Sequence, residues 1–276
     1  MIPASFEYVR ADSLEHALDL LNEHGDAAKL LAGGHSLLPL MKLRLATPEV
    51  LVDLGLLKEL SYVRDGGDHL SIGALTSHHD ISRSPLVDAE LPVLAHVAGQ
   101  IGDPQVRHRG TIGGSIAHGD PASDLPALVL ALGGTLVLQG PSETREVAAA
   151  AFHLGFLETA VAPDEILTEI RLPKMGAGGW GFEKLTKRAQ DWAIVGAVAV
   201  RHGGNGSVGV GLINVGPVPT TAAMVEAAVA AGSGAAEAAA QADSGIEVTG
   251  DLNASEQFRR HLTRVLVQRA LEKALA

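Results

Sequence analysis

Two glycine pairs are the residues whose types and spacing point to chemistry: Ala32-Gly33-Gly34-His35-Ser36 and Thr111-Ile112-Gly113-Gly114-Ser115. A hydroxyl residue follows each pair, at once in the second and one residue later in the first. Without a β-carbon, successive backbone N–H groups can point the same way and a ligand can come close to the main chain, so such a turn can form an anion nest. Two nests facing one another would suit a pyrophosphate. Taken singly, Gly-Gly before a hydroxyl is also an ordinary tight turn. The second pair runs on into Asp120-Pro121-Ala122-Ser123-Asp124, whose carboxylates and hydroxyl are of the kind that reach sugar hydroxyls, although Asp124 reads equally as the cap of a following helix.

Regular elements must hold these turns. Residues 12–25 predict a helix, with Leu14, Leu18 and Leu21 on one face, Asp12 and Glu15 at capping-box spacing and Gly25 as the stop. The apolar run 27–32 breaks at Gly33 and resumes with Leu37, Leu40 and Met41 at helical spacing, which reads as strand, glycine turn, helix. A strand at Val50–Asp53 completes a small α/β unit. Further strands are expected at His69–Gly73, 134–138 and 165–172, and helices at 91–101 and 125–131, with the second glycine turn between those two helices. Pro173 and the glycines of 176–179 read as a linker. After it come strands at 181–186, Ala193–Arg201 and 207–215, an Ala-rich stretch, and a last helix. Its apolar face carries Phe258, Leu262, Val265, Leu266 and Leu271, with Arg259, Arg260, Arg264 and Arg269 mostly off it. The organisation expected is 1–57, an N-terminal α/β subdomain; 58–175, a second subdomain; and 176–276, a C-terminal domain.

Composition narrows the function. The 276 residues are 46% hydrophobic, enough for a buried core, which excludes a disordered or fibrous chain. With no cysteine, the chain has no thiolate nucleophile, no Cys-held zinc and no iron–sulfur cluster of its own. A net charge of −11 opposes binding to nucleic acid and to anionic lipid. The N-terminus has no leader pattern, and no apolar run approaches the ~20 residues that span a bilayer. The expected address is the cytoplasm.

Other patterns are decoys. Gly176-Ala177-Gly178-Gly179-Trp180-Gly181 fits G-x-G-x-x-G, but Pro173 breaks the preceding strand and no helix pattern follows. His78-His79-Asp80 reads as solvated turn residues, since adjacent rings point apart and no third ligand is visible. The run Arg107-His108-Arg109 reads as a solvated surface. Neither serine sits in G-x-S-x-G and no Walker A lysine follows a glycine turn, so the hydrolase and P-loop signatures are missing.

The two glycine segments, with Leu37-Leu38-Pro39, Val52-Asp53-Leu54, Ile72-Gly73-Ala74-Leu75-Thr76 and Arg109-Gly110, carry a resemblance that extends over essentially the whole chain. The sequence resembles the FAD-binding (medium) subunit of the molybdenum hydroxylases, most of all the aerobic carbon monoxide dehydrogenase branch. The resemblance implies an α+β fold, a two-subdomain FAD-binding fold of the vanillyl-alcohol oxidase/PCMH type plus a small C-terminal α/β domain with a three-stranded antiparallel sheet. It implies that Ala32, Gly33, Gly34, His35, Ser36 and Leu37, with Thr111, Ile112, Gly113, Gly114 and Ser115, surround the diphosphate of FAD. It places Asp120, Ser123 and Asp124 toward the ribityl and ring parts. Ile72, Gly73, Ala74 and Thr76 supply a strand and turn with main-chain contacts, and Lys184 and Trp192, beside Asp191, belong to a segment reaching back over the flavin. Ser115 stands where the family often has Asn, and Trp192 where a Tyr is expected.

By the same resemblance no side chain here acts as acid, base, nucleophile or metal ligand. Substrate oxidation belongs to a large subunit with molybdopterin cytosine dinucleotide. Two 2Fe-2S clusters belong to a small subunit, and electrons leave the flavin for a quinone or other acceptor. The implied assembly is a dimer of heterotrimers, cytoplasmic or peripheral at the inner face of the membrane. The alternatives are the flavin subunit of a xanthine- or nicotinate-type hydroxylase, a stand-alone flavin oxidoreductase, and a non-catalytic assembly subunit without flavin.

Overall fold

The computed structural model describes residues 2–276; Met1, where the first expected subdomain begins, lies outside the described residues. The N-terminal unit comprises β1 (Glu7–Arg10), α1 (Leu14–His24), β2 (Ala28–Leu31), α2 (Leu37–Lys42) and β3 (Val50–Asp53). Its three strands form a parallel sheet in the order β1-β3-β2. The central strand β3 is apolar along its length because Val50, Leu51 and Val52 are covered on both sides. Helix α1 packs Ala17, Leu18, Leu20 and Leu21 on this sheet. It starts two residues later than the expected span, since Ser13 is its cap, its hydroxyl accepting from the His16 N–H at 3.1 Å. Asp12 does not form the expected capping box: it bonds the His16 ring at 2.9 Å instead.

The middle of the chain runs β4 (Val63–Asp65), β5 (His69–Gly73), α3 (His78–Arg83), α4 (Pro85–Glu90), α5 (Pro92–Gly99), α6 (Pro104–Arg109), α7 (Ile112–His118), α8 (Asp124–Ala131), β6 (Thr135–Gln139), β7 (Thr144–Ala148), β8 (His153–Gly155), β9 (Glu158–Thr159) and β10 (Ile166–Pro173). An antiparallel sheet of order β4-β5-β10-β6-β7 results, with β8 and β9 as a separate hairpin. The edge strands β4 and β7 escaped the reading of the sequence because they are short and largely exposed, so no apolar alternation marks them. Helices α5, α7 and α8 pack with Leu70, Ile72, Leu136, Leu138 and Ile170 of this sheet in the largest core.

The C-terminal part holds β11 (Trp180–Thr186), β12 (Ala193–Arg201), β13 (Val208–Ile213), β14 (Thr220–Thr221), α9 (Ala223–Ala230), α10 (Ala235–Ala239) and α11 (Glu256–Leu275). The expected three-stranded antiparallel sheet gains a fourth member, β14, only two residues long. Both faces of the sheet are covered. Val195, Ala197 and Ala199 face α11 and α10, while Val198 and Val200 join the core of the middle unit, which explains the unbroken apolar run of β12. Gly211 lets α8 lie directly on β13, for a β-carbon there would strike the Ala127 carbonyl.

The last helix buries Leu266 and Leu271 as expected, but its inward face is rotated from the expected one. Arg259, Thr263, Leu266, Val267, Ala270, Leu271 and Ala274 are buried, whereas Phe258 is 45% exposed. Arg259 goes inside because its guanidinium is paired there with Asp251 at 2.7 Å. Residues 174–179 connect β10 to β11, and the G-x-G-x-x-G pattern is followed by a strand.

Candidate functional site

The two glycine segments, far apart in sequence, meet in space. A β-carbon on Gly33 would collide with the Arg109 carbonyl, and one on Gly113 would stand 2.7 Å from the Ala74 carbonyl oxygen. Both positions need glycine because backbone passes where a side chain would start. The first segment is a turn between β2 and α2, with Gly34 at φ +77°. Among the described residues, no protein acceptor serves the N–H groups of Gly33, Gly34, His35 or Ser36. They are donors left for a ligand.

The second segment is not a turn of free donors. It is the first turn of α7, and Thr111 is its cap. Ile112 N–H donates to Thr76 O at 3.1 Å, Gly113 N–H to Ala74 O at 2.9 Å, and Gly114 N–H to Thr111 Oγ1 at 3.1 Å. Glycine is a poor helix former, but here any larger residue would push Ala74 away. The Thr111 hydroxyl, acting as acceptor for Gly114, keeps its own O–H to give. Of the two expected nests, the first is therefore open and the second is a closely packed wall.

Between them lies a cleft of about 630 Å³. Ala32, Gly33, Gly34, His35, Ser36 and Leu37 line one side, and Ala74, Thr111, Gly113, Gly114, Ser115, Ser123 and Asp124 another. Lys184, Asp191 and Trp192 reach it from the C-terminal part. Trp192 is 60% exposed at the lip, so it is not a core aromatic.

Five expected residues do not line the cleft. Ile72 and Ile112 are fully buried in the core, and Gly73 sits in β5 with its N–H on Tyr62 O at 3.0 Å. Thr76 is buried with its hydroxyl bridging the N–H and the carbonyl of Tyr62, 2.9 Å from each. Asp120 turns onto its own loop, accepting from the Ala122 N–H at 2.8 Å.

At the floor, Asp124 and Lys184 form a buried pair, Oδ2 to Nζ 2.7 Å. Asp124 does not cap α8; Ser123 holds that position and Asp124 is the first helical residue. Burial pushes the Asp124 carboxyl up, and Lys184 offsets part of that. His118 lines the cleft as well, its ring held below the usual histidine value by burial.

His78, expected to be solvated, is 4% exposed, packed against Gly110 in the wall of the cleft. Its Nδ1 is sealed without a partner, and burial first, then His35 and Arg107, lower its pKa to about 4. Its burial was illegible because the Gly110 that makes room for its ring lies 32 residues on. Lys29, also missed, stands exposed at the mouth, and its one signal was its place on β2 just before the first turn. Among the described residues, no three His, Cys, Asp or Glu cluster as metal ligands. Arg107, expected in a solvated run, caps Ile101 O and Gly102 O at 2.9 and 3.0 Å.

Known proteins resemble the chain over its whole length. Residues 4–175 match the model of a family described as the FAD binding domain in molybdopterin dehydrogenase. Residues 180–274 match one described as the CO dehydrogenase flavoprotein C-terminal domain. The carbon monoxide dehydrogenase medium chain of Hydrogenophaga pseudoflava is 44% identical over 287 aligned positions, covering 100% of this chain and 99% of that one. The 6-hydroxypseudooxynicotine dehydrogenase complex subunit alpha of Paenarthrobacter nicotinovorans is 36% identical over 290 positions, covering 100% and 96%. A solved carbon monoxide dehydrogenase from Hydrogenophaga pseudoflava, lacking the Mo-pyranopterin moiety of its molybdenum cofactor, superposes at TM-score 0.94 with 43% identity, covering 100% and 99%.

Proposed function

The chain belongs to the family of FAD-binding medium subunits of the molybdenum hydroxylases, and from that premise we propose that it is the electron-transfer subunit of an aerobic carbon monoxide dehydrogenase. The observation that carries the reading is the full-length relation at 44% identity to a medium chain of that enzyme, in a fold whose cleft is walled by both glycine segments. Electrons from carbon monoxide oxidation on a molybdenum-bearing large subunit pass through 2Fe-2S clusters of a small subunit to this chain, and leave for a quinone or other acceptor. A dimer of heterotrimers, cytoplasmic or peripheral at the inner face of the membrane, belongs to the same proposal. Among the described residues, no helix is long and apolar enough to cross a membrane. The same proposal divides the chain at 57/58, between the parallel sheet and the five-stranded sheet, and at 175/176, where the gap between the two family matches supports it.

The cleft suits FAD. Its size is that of a cofactor site. The free N–H groups of Gly33 to Ser36 and the Thr111 hydroxyl would hold the diphosphate, with Lys29 adding charge at the mouth. Ser115 and Ser123 offer hydroxyls to the polar chain, while Lys184 fixes charge and Trp192 shields the open side. FAD when bound supplies the redox chemistry, and these side chains bind it, orient it and set the field around it.

The test is purification of the native complex through this chain, with subunits identified by mass spectrometry and the flavin band followed under carbon monoxide, xanthine and nicotinate. Bleaching by carbon monoxide alone, with a molybdenum subunit and a Cys-rich subunit present, is expected. Bleaching by xanthine or nicotinate instead would make the chain the flavin subunit of a hydroxylase of that type. A colourless chain that FAD cannot reconstitute would make it an assembly subunit, and turnover without partners an independent flavoenzyme.

A further inference from the structure

We propose that Arg259 is a positioning residue of the flavin cleft, acting through Asn214, which ties together the ends of two of the cleft's walls. The inference rests on the flavin reading above. Asn214 follows β13 with its backbone in the left-handed region, φ +58°, a conformation that asparagine tolerates better than most residues. There, three of its polar groups are engaged at once. Its N–H donates to Pro121 O at 2.8 Å, its side-chain Nδ2 donates to Ala193 O at 2.6 Å, and its own carbonyl accepts from Arg259 Nη1 at 2.5 Å.

Each of the first two contacts ends beside the cleft. Pro121 immediately precedes Ala122, Ser123 and Asp124, which line it. Ala193 immediately follows Gln190, Asp191 and Trp192, which line it from the other part of the chain. Asn214 therefore sets the distance between the loop before α8 and the segment before β12. Arg259 holds Asn214 in turn. The guanidinium is 3% exposed, spans from Asn214 O to Asp251 Oδ2 at 2.7 Å, and leaves its Nε sealed without a partner. Core packing alone would be served better at this place by an apolar residue, since a buried charge with an orphan donor carries a penalty. A planar fork that reaches two acceptors at once is what the position uses, and lysine cannot reproduce it.

The experiment uses the native complex purified through this chain, with Arg259→Met, Arg259→Lys and Asn214→Gly, and with Asp243→Asn as a control. Asp243 binds Arg264 and Arg260 on the same helix but makes no contact with Asn214. Asn214→Gly keeps the left-handed backbone and its N–H while deleting Nδ2. FAD affinity is read by titration, folding by thermal melting, and order of the walls by amide hydrogen exchange at 122–124 and 191–193 in the flavin-free complex. We expect Arg259→Met and Asn214→Gly to weaken FAD binding about tenfold or more, the equivalent of one lost hydrogen bond involving a charged group, with faster exchange at both walls. Arg259→Lys should fall between, and Asp243→Asn should lower the melting temperature without changing the affinity. If Arg259→Met does not fold, Arg259→Lys decides. Unchanged affinity and exchange in the folded variants would overturn the positioning role while leaving the flavin reading intact. Failure of the unsubstituted complex, stripped of its flavin, to rebind FAD would instead sink the flavin reading, and the assignment of Arg259 to a flavin cleft with it.

Discussion

Lys184 Nζ stands 2.7 Å from the carboxylate of Asp124, sixty residues away in sequence, with only 13% and 7% of the two side chains exposed. The pair joins strand β11 of the C-terminal sheet to the first residue of α8 and so closes the floor of the cleft between two parts of the chain. A buried pair contributes modestly as a pair, but removing one partner strands the other. Lys184→Met should therefore cost about 3 kcal/mol, while Asp124→Leu combined with Lys184→Met recovers most of the loss. Urea unfolding of the single and double variants checks this; equal stability of the two would show that Asp124 finds another partner.

Gly33→Val and Gly113→Val should both abolish flavin retention, since their side chains would occupy the space now taken by the Arg109 carbonyl and by Ala74. The wall that moves is in each case a wall of the cleft. The ratio of flavin to protein after gel filtration is the measurement, and normal content in both variants would defeat the site assignment.

Trp192→Ala should change stability by no more than about 0.5 kcal/mol, because the ring is largely exposed and few contacts are lost. Its effect should fall on the flavin, as a shifted absorption band and readier bleaching by sulfite. A large drop in melting temperature with an unchanged flavin spectrum would give Trp192 a structural role.

Stability should fall as the pH is lowered from about 6.5 to about 4. Burial lowers the His78 ring from its ordinary 6.5 to about 4, with His35 and Arg107 adding to the effect, and burial lowers His153 to about 4 as well. Between those values the unfolded chain takes up protons that the folded one refuses, so folding is disfavoured as acid is added, and the share of the loss due to these two rings levels off below about 4. The expected size is on the order of 3 kcal/mol for His78 and less for the half-buried His153. Denaturant midpoints against pH for the flavin-free chain and for His78→Gln provide the check; an identical slope in the variant would remove His78 from the account.

What the sequence by itself determined was local. The first glycine turn is legible because strand, turn and helix follow one another within a few residues, each with its own period and stop signal. The combination of the two glycine segments with Asp120-Pro121-Ala122-Ser123-Asp124 identified the family because the set together is specific where either glycine turn alone is an ordinary tight turn. Tertiary structure decided everything that depends on contact across the chain. Ile72 and Thr76 belong to a segment beside the cleft, yet β5 lies between β4 and β10, and that packing turns one into the core and uses the other's hydroxyl on Tyr62. His78 looks like a surface polar residue until Gly110 makes room for its ring. Arg259 looks like an outer helix residue until Asn214 and Asp251 give its charge partners inside. A periodic pattern records which side of an element is apolar, whereas a buried polar group is set by a partner that the pattern does not contain.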